Sequence, residues 1–254
     1  MKLALLVTVA AAASAGWSAR AAAPVPVVVE LFTSEGCSSC PPADAMLEQL
    51  VASQPVTGAE IIALGEHVDY WDRLGWRDRF SSAAATVRQQ DYQRRFRTES
   101  IYTPQMVVDG RTEFVGGDPT AARRAVQQAL AATHGTVRIA AAAGSSAVQV
   151  TVTAADLPAF ADDTTDVVVA LTEDRLQTEV KRGENHGRVL KHAAVVRHMA
   201  SIGQAAGAGA TAHAEIRLAP DWQREALTIV AFVQARRGRA ILAAAAVPLE
   251  TARP

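Results

Sequence analysis

Cys37 and Cys40 are the only cysteines in this 254-residue chain, and their CxxC spacing is that of a redox-active dithiol. They sit in VVVELFTSEGCSSCPPADAMLEQL (27–50), between an apolar run and a helical pattern. A strand that delivers such a pair to a helix start sets the first sulfur against unpaired N–H groups and the positive end of the helix dipole, which lowers a thiol pKa. Cys37 is therefore expected as the exposed sulfur that attacks or is attacked, and Cys40, one turn into the helix and followed by two prolines, as the resolving one. Ser38 and Ser39 between them are assigned to substrate contact. Two other readings of the pair stay open. A structural disulfide closing so short a loop constrains the unfolded chain very little, and a zinc site wants four ligands, usually from a second CxxC or an HxxxH, neither of which is present.

Other side chains could join this chemistry. Glu30 stands inside an otherwise apolar strand, where an ionised carboxylate needs a partner or a task, whereas Glu35, close to the thiols, is expected to face water. His192 and His198 are an even number of residues apart and would share a face of one strand. With His67 and the cysteines they could hold copper or zinc, but a strand histidine paired to a carboxylate is the commoner arrangement, so no metal ligands and no organic cofactor are assigned. Arg88, Arg94, Arg95 and Arg97 cluster on one helix among Gln and Asp neighbours and read as a solvated face.

The elements that must position these residues follow from period and punctuation. Residues 41–53 form a helix with Met46, Leu47, Leu50 and Val51 on one stripe, stopped at Pro55. A strand follows at 60–64. The aromatic segment HVDYWDRLGWRDRF (67–80) then leads through the capping serines Ser81 and Ser82 into a helix over 83–97, with Val87, Tyr92 and Phe96 packing. Tyr70, Trp71, Trp76 and Phe80 give that segment more aromatic surface than a connector needs, so it is expected to border the dithiol or plug a domain interface. Thr103-Pro104 precedes a strand at 105–108, Asp109-Gly110 is a hairpin turn, 112–115 is the returning strand, and Asp118-Pro119 opens a helix to about Thr133. From 136 onward short strands recur at 137–142, 148–153, 167–171, 189–199, 215–218, 227–234 and 241–247. They suggest an antiparallel β-sandwich. The turn RGENHGR (182–188) is dense in charge and suits either turn chemistry or partner recognition.

The order βαβαββα, with CxxC at the first helix and X-Pro before the third strand, resembles the thioredoxin fold over 25–134. The fold class expected is an α/β thioredoxin-like domain (24–134) followed by an all-β, sandwich-like domain (135–254). In wording, ELFTSEGCSSCPPAD, EHVDYWDRLGW, YTPQMVVDG and VKRGENHGRVLKHAAVVR are similar to a bacterial secreted family catalogued as domain of unknown function 1223, which brings no settled substrate or reaction. The thioredoxin resemblance implies that Pro104 lies beside the dithiol, that Thr103 meets substrate there, and that Glu30 is a buried base of raised pKa serving Cys40; Trp71, from the aromatic segment expected to border the dithiol, is assigned to substrate contact as well. The pattern departs from classical thioredoxins at Gly36, at Ser38-Ser39 and in the proline placed after the second cysteine, so no redox potential carries over.

Residues 1–23 read as a secretory signal, with Lys2, an apolar run over 3–13 and small residues suited to cleavage. The apolar run is too short to span a bilayer, and no later segment has about 18 uninterrupted apolar residues. The chain is thus expected in the periplasm or outside the cell, with no transmembrane segment after signal removal and an oxidising environment for its cysteines. Loss of Lys2 and Arg20 leaves 23 basic against 26 acidic residues, a net charge of about −3, which excludes a nucleic-acid footprint. The function these features support is thiol–disulfide exchange on envelope proteins, with protein thiols or disulfides as partners. A non-catalytic binding module and a copper-handling protein using the CxxC are the alternatives.

Overall fold

The computed structural model describes residues 23–159 and 163–250; the signal segment expected at the N-terminus falls almost wholly outside them. The first half runs β1 (Val25–Thr33), α1 (Pro41–Ser53), β2 (Ala59–His67), α2 (Ala83–Phe96), β3 (Gln105–Val108), β4 (Thr112–Val115) and α3 (Pro119–Leu130). The second half runs β5 (Thr136–Ala143), β6 (Ala147–Ala155), β7 (Thr165–Glu173), β8 (Leu176–Glu179), β9 (Val189–His192), β10 (Val195–Ala205), β11 (Ala210–Arg217), β12 (Leu227–Ala235) and β13 (Ile241–Pro248).

The expected division into a thioredoxin-like α/β domain and a separate all-β sandwich is overturned. Among the described residues one mixed eight-stranded sheet, in the order β13-β12-β7-β10-β2-β1-β3-β4, runs through both halves of the chain. The join is made by β10, which pairs parallel to β2 at Val195↔Gly65 and antiparallel to β7 along the rest of its length. Period-two patterning identifies a strand but does not say which sheet it enters. A second sheet, β11-β6-β5, packs on part of the first, burying Val148, Val150 and Val152 against Val169, Leu171, Ile229 and Ala231. β8 and β9 form a small ribbon. The expected single strand over 189–199 is in fact β9 and β10, in different sheets, so His192 and His198 do not share a strand face.

Alternation along β1 decides which helix covers which side. Val27, Val29 and Leu31 bury against Met46, Leu47 and Leu50 of α1 and Ala122, Val126 and Ala129 of α3. Phe32, on the other face, packs with Ala85 and Tyr92 of α2. Ser82 caps α2 by accepting from the Ala85 N–H, and Asp118 caps α3 by accepting from Thr120 and Ala121. Val87, expected in the core, is 53 % exposed. The Asp109-Gly110 turn is more than a hairpin end. Asp109 accepts from the Val28 N–H at 2.9 Å and His134 Nε2 lies 2.9 Å from its other oxygen, while its carbonyl accepts from the Ile241 N–H. Gly110 has φ +61°, and a Cβ there would lie 1.8 Å from the Arg239 carbonyl oxygen. Only glycine admits β12 and β13 this close.

Candidate functional site

Cys37 and Cys40 are joined by a disulfide with their Cα atoms 5.4 Å apart. Cys40 is the cap residue of α1, whose first turn carries Pro41 and Pro42 where unpaired N–H groups would otherwise stand. Around this end the loops converge. A Cβ on Gly116 would lie 3.0 Å from Pro104 Cβ and 3.1 Å from Ala43 Cβ, which places the cis Thr103–Pro104 bond against the first turn of α1. Trp71 Nε1 donates to Thr103 Oγ1 at 2.8 Å, and its Cβ would be 3.1 Å from a Cβ on Gly36. Glycine thus stands before Cys37 because the Trp71 segment presses on it. Thr103, Pro104 and Trp71 lie in the loops around Cys37 and Cys40, with Ser38 and Ser39 exposed between the cysteines.

The expectation that Cys37 is exposed is corrected: both cysteines are 0 % exposed. The 182–188 turn, 148 residues away along the chain, is bonded to the disulfide loop. Asn185, itself fully buried, donates from Nδ2 to the carbonyls of Glu35 and Cys37 at 2.9 Å each, and its Oδ1 accepts from Arg188. Glu184 Oε2 accepts from the Ser38 N–H at 3.1 Å. Turn chemistry explains the glycines of RGENHGR, but Asn185 is there for the disulfide loop.

Beside the loop lies a buried ionisable cluster. Glu35, expected in water, is 0 % exposed: its carboxylate accepts from Trp76 Nε1 at 2.7 Å and lies 3.2 Å from His192 Nε2. Asp78 accepts from the Glu35 N–H at 2.9 Å and holds His67 Nδ1 at 2.6 Å. The His67 and His192 rings meet edge to face at 4.8 Å. Burial pulls the His67 pKa down, but the Asp78 charge and hydrogen bond outweigh it and the net shift is upward. For Asp78 burial acts upward, and the His67 charge with backbone N–H bonds from Glu35 and Phe80 carries the net shift downward. Asp44, one turn after Cys40 on α1, is pushed up by burial, with His192 and His67 offsetting only part. Among the described residues no three His, Cys, Asp or Glu side chains are placed to hold a metal ion, and the two sulfurs are bonded to each other. His198 lies elsewhere, on β10.

Glu30 does not join this group. It points to the α2 side of the sheet, where its Oε2 accepts from Arg88 Nε at 2.5 Å and its Oε1 accepts from the Tyr92 hydroxyl. Arg88 also reaches Glu66 at 3.1 Å and Gln234 at 3.0 Å, so the solvated reading of Arg88 is corrected as well. Burial acts upward on the Glu30 pKa, but the Arg88 guanidinium and the hydrogen bonds outweigh it, and the net shift is downward, against the raised value expected of a base. Glu66, desolvated and facing the Glu30 charge, is pushed well up despite Arg88.

Reasoning from local spacing missed Glu35, Asp44, Asp78, Asn185 and His192 as neighbours of the disulfide. A usable signal was present in two connectors, 67–80, rich in charge and aromatic rings, and the charged turn 182–188, each carrying more than a connector needs.

Among solved structures, one is Protein AGR_C_4864 from Agrobacterium tumefaciens, 25 % identical, with 92 % of this chain and 99 % of that chain covered at a TM-score of 0.66. Another is HBP35 of Porphyromonas gingivalis, 16 % identical, with 92 % and 78 % covered at a TM-score of 0.69, a likeness of fold alone. No protein of curated function matches the sequence. No helix among the described residues is long and apolar enough to cross a membrane. The family model described as "Protein of unknown function (DUF1223)" matches residues 28–234, most of the sequence, and the chain belongs to that family.

Proposed function

We propose that the protein is an exported thiol–disulfide redox protein that acts through Cys37 and Cys40 on protein thiols or disulfides of the cell envelope. One observation carries the reading: the disulfide is packed at a helix start beside buried Asp44, Glu35, His67 and His192, and a passive crosslink of this loop length needs no such neighbours. A partner thiolate attacks Cys37 Sγ, the S–S bond breaks, and Cys40 leaves as a thiolate that takes a proton. A second partner thiolate then displaces Cys37, leaving the partner oxidised and this protein a dithiol. Asp44, protonated more readily than an ordinary aspartate and one turn from Cys40, is the proposed proton donor in place of Glu30. Ser38 and Ser39, with Thr103, Pro104 and Trp71, form the surface a partner backbone meets.

A binding module is favoured instead by the complete burial of both cysteines. A redox titration separates the two. A midpoint above about −300 mV, with Cys40→Ser accumulating mixed disulfides and Cys37→Ser trapping none, supports exchange. A lower midpoint with no captured partner gives the binding reading its place.

A further inference from the structure

On the α2 side of the large sheet lies a cleft of about 740 Å³, lined by α2, by residues 79–82 and by β10. That volume is in the range of ordinary ligand sites. A strand lying flat beneath a cleft contributes alternate residues, as β7 does with Asp166 and Val168. β10 contributes six in succession, 196–201, so it presents its edge.

The pairing explains why that edge is free. β10 meets β2 at Val195↔Gly65, and no described strand pairs with its outer side at His198–Ser201, although β7 pairs its inner side there without interruption; β11 comes against β10 only further along, at Gly203. Every second residue of His198–Ser201 therefore directs its N–H and C=O into the cleft. Bulges before His198 and after Ser201 confine this stretch, a pattern that limits edge-to-edge aggregation while leaving a short template open. The walls are apolar at Phe80, Met199, Val87 and Trp222, and cationic at Arg79, whose guanidinium lies 4.5 Å from the Phe80 ring centre and donates to the Gln177 carbonyl rather than to a carboxylate.

We propose that this cleft takes an extended segment of another polypeptide, added as a short antiparallel or parallel strand to the outer edge of β10, with apolar side chains against Phe80 and Met199 and an acidic one opposite Arg79. Backbone pairing supplies the affinity, as in other cases of strand addition. The site goes beyond the redox reading and does not depend on it, although His67 lies on its wall and belongs to the cluster beside the disulfide.

The test uses the oxidised full-length protein and reduced, S-carboxymethylated α-lactalbumin, a permanently unfolded acidic chain without free thiols, so that disulfide exchange cannot contribute to capture. Binding is expected for this probe and not for native α-lactalbumin. The amides of His198–Ser201 that face the cleft, those of every second residue, should gain at least tenfold protection from hydrogen exchange in the complex. Ala84→Trp, an exposed α2 position that would fill the cleft, should weaken binding at least tenfold without altering the disulfide's midpoint potential, and Arg79→Glu should weaken it with the same sign. Binding that leaves those amides unprotected, or that Ala84→Trp does not change, overturns the proposal. So does self-association of the protein in solution that Ala84→Trp abolishes, since a second copy would then be the occupant.

Discussion

Asn185 ties the 182–188 turn to the disulfide loop with one side chain. Its amide closes two hydrogen bonds on the disulfide loop and accepts a third from Arg188. Asn185→Ala is expected to leave two buried carbonyls unpaired, destabilise the fold by about 1–3 kcal/mol, and raise the rate of disulfide reduction by a small phosphine at least tenfold, read by thiol release. Equal rates in variant and wild type would show that the turn is not the barrier. His67 gives a pH prediction. Its folded pKa lies above the ordinary 6.5, so the stability it contributes is full below that pH and is lost as pH rises through the folded value. Asp44, Glu35 and His192 face it as well, but Asp78 supplies the largest opposing effect to burial. In Asp78→Asn burial should win, the His67 pKa should fall below 6.5, and urea unfolding between pH 5 and 9 should show a smaller loss of stability with rising pH than wild type. Cys37, Cys40, Thr103, Pro104 and Trp71 were legible because their local patterns mark the turns and helix start they occupy. Asn185 and His192 were not, because 148 and 157 residues separate them from their partners. Glu30 was legible as a buried acid needing a partner; that the partner is Arg88, on the far face of the sheet from α1, was not.

At the scale of elements, most strands and all three helices announce themselves by period and caps, yet their assembly does not. β10 enters between β2 and β7, and the Asp109-Gly110 turn docks under β12 and β13. A hairpin turn read alone asks only for a positive φ at glycine. Here a side chain would also strike the Arg239 carbonyl. Gly110→Ala should therefore destabilise by more than about 2 kcal/mol, beyond the roughly 1 kcal/mol of an unfavourable φ, with the midpoint of denaturation as the measure. A loss no larger than that of an ordinary turn substitution would mean that β12 and β13 can shift away at little expense. The β8–β9 ribbon was the hardest element to read: four residues a strand and mixed burial leave little period to detect.

For the molecule as a whole, the shared sheet ties the fate of one half to the other. Arg88 reaches Gln234, Gly135 donates to the Leu242 carbonyl, and Asn185 holds the disulfide loop. A fragment of residues 24–134 should accordingly show no cooperative thermal transition, whereas residues 24–254 should unfold in one step by circular dichroism. A sharp transition in the fragment would restore an independent first unit. The distance between the cysteines and the 182–188 turn also sets an order in time. A chain emerges from its N-terminus, so Cys37 reaches its surroundings 148 residues ahead of Asn185, with Cys40 close behind it. During that interval the dithiol loop lacks the two bonds that Asn185 makes to it in the folded protein. The disulfide is thus expected to form more readily before the 182–188 turn docks on its loop than after.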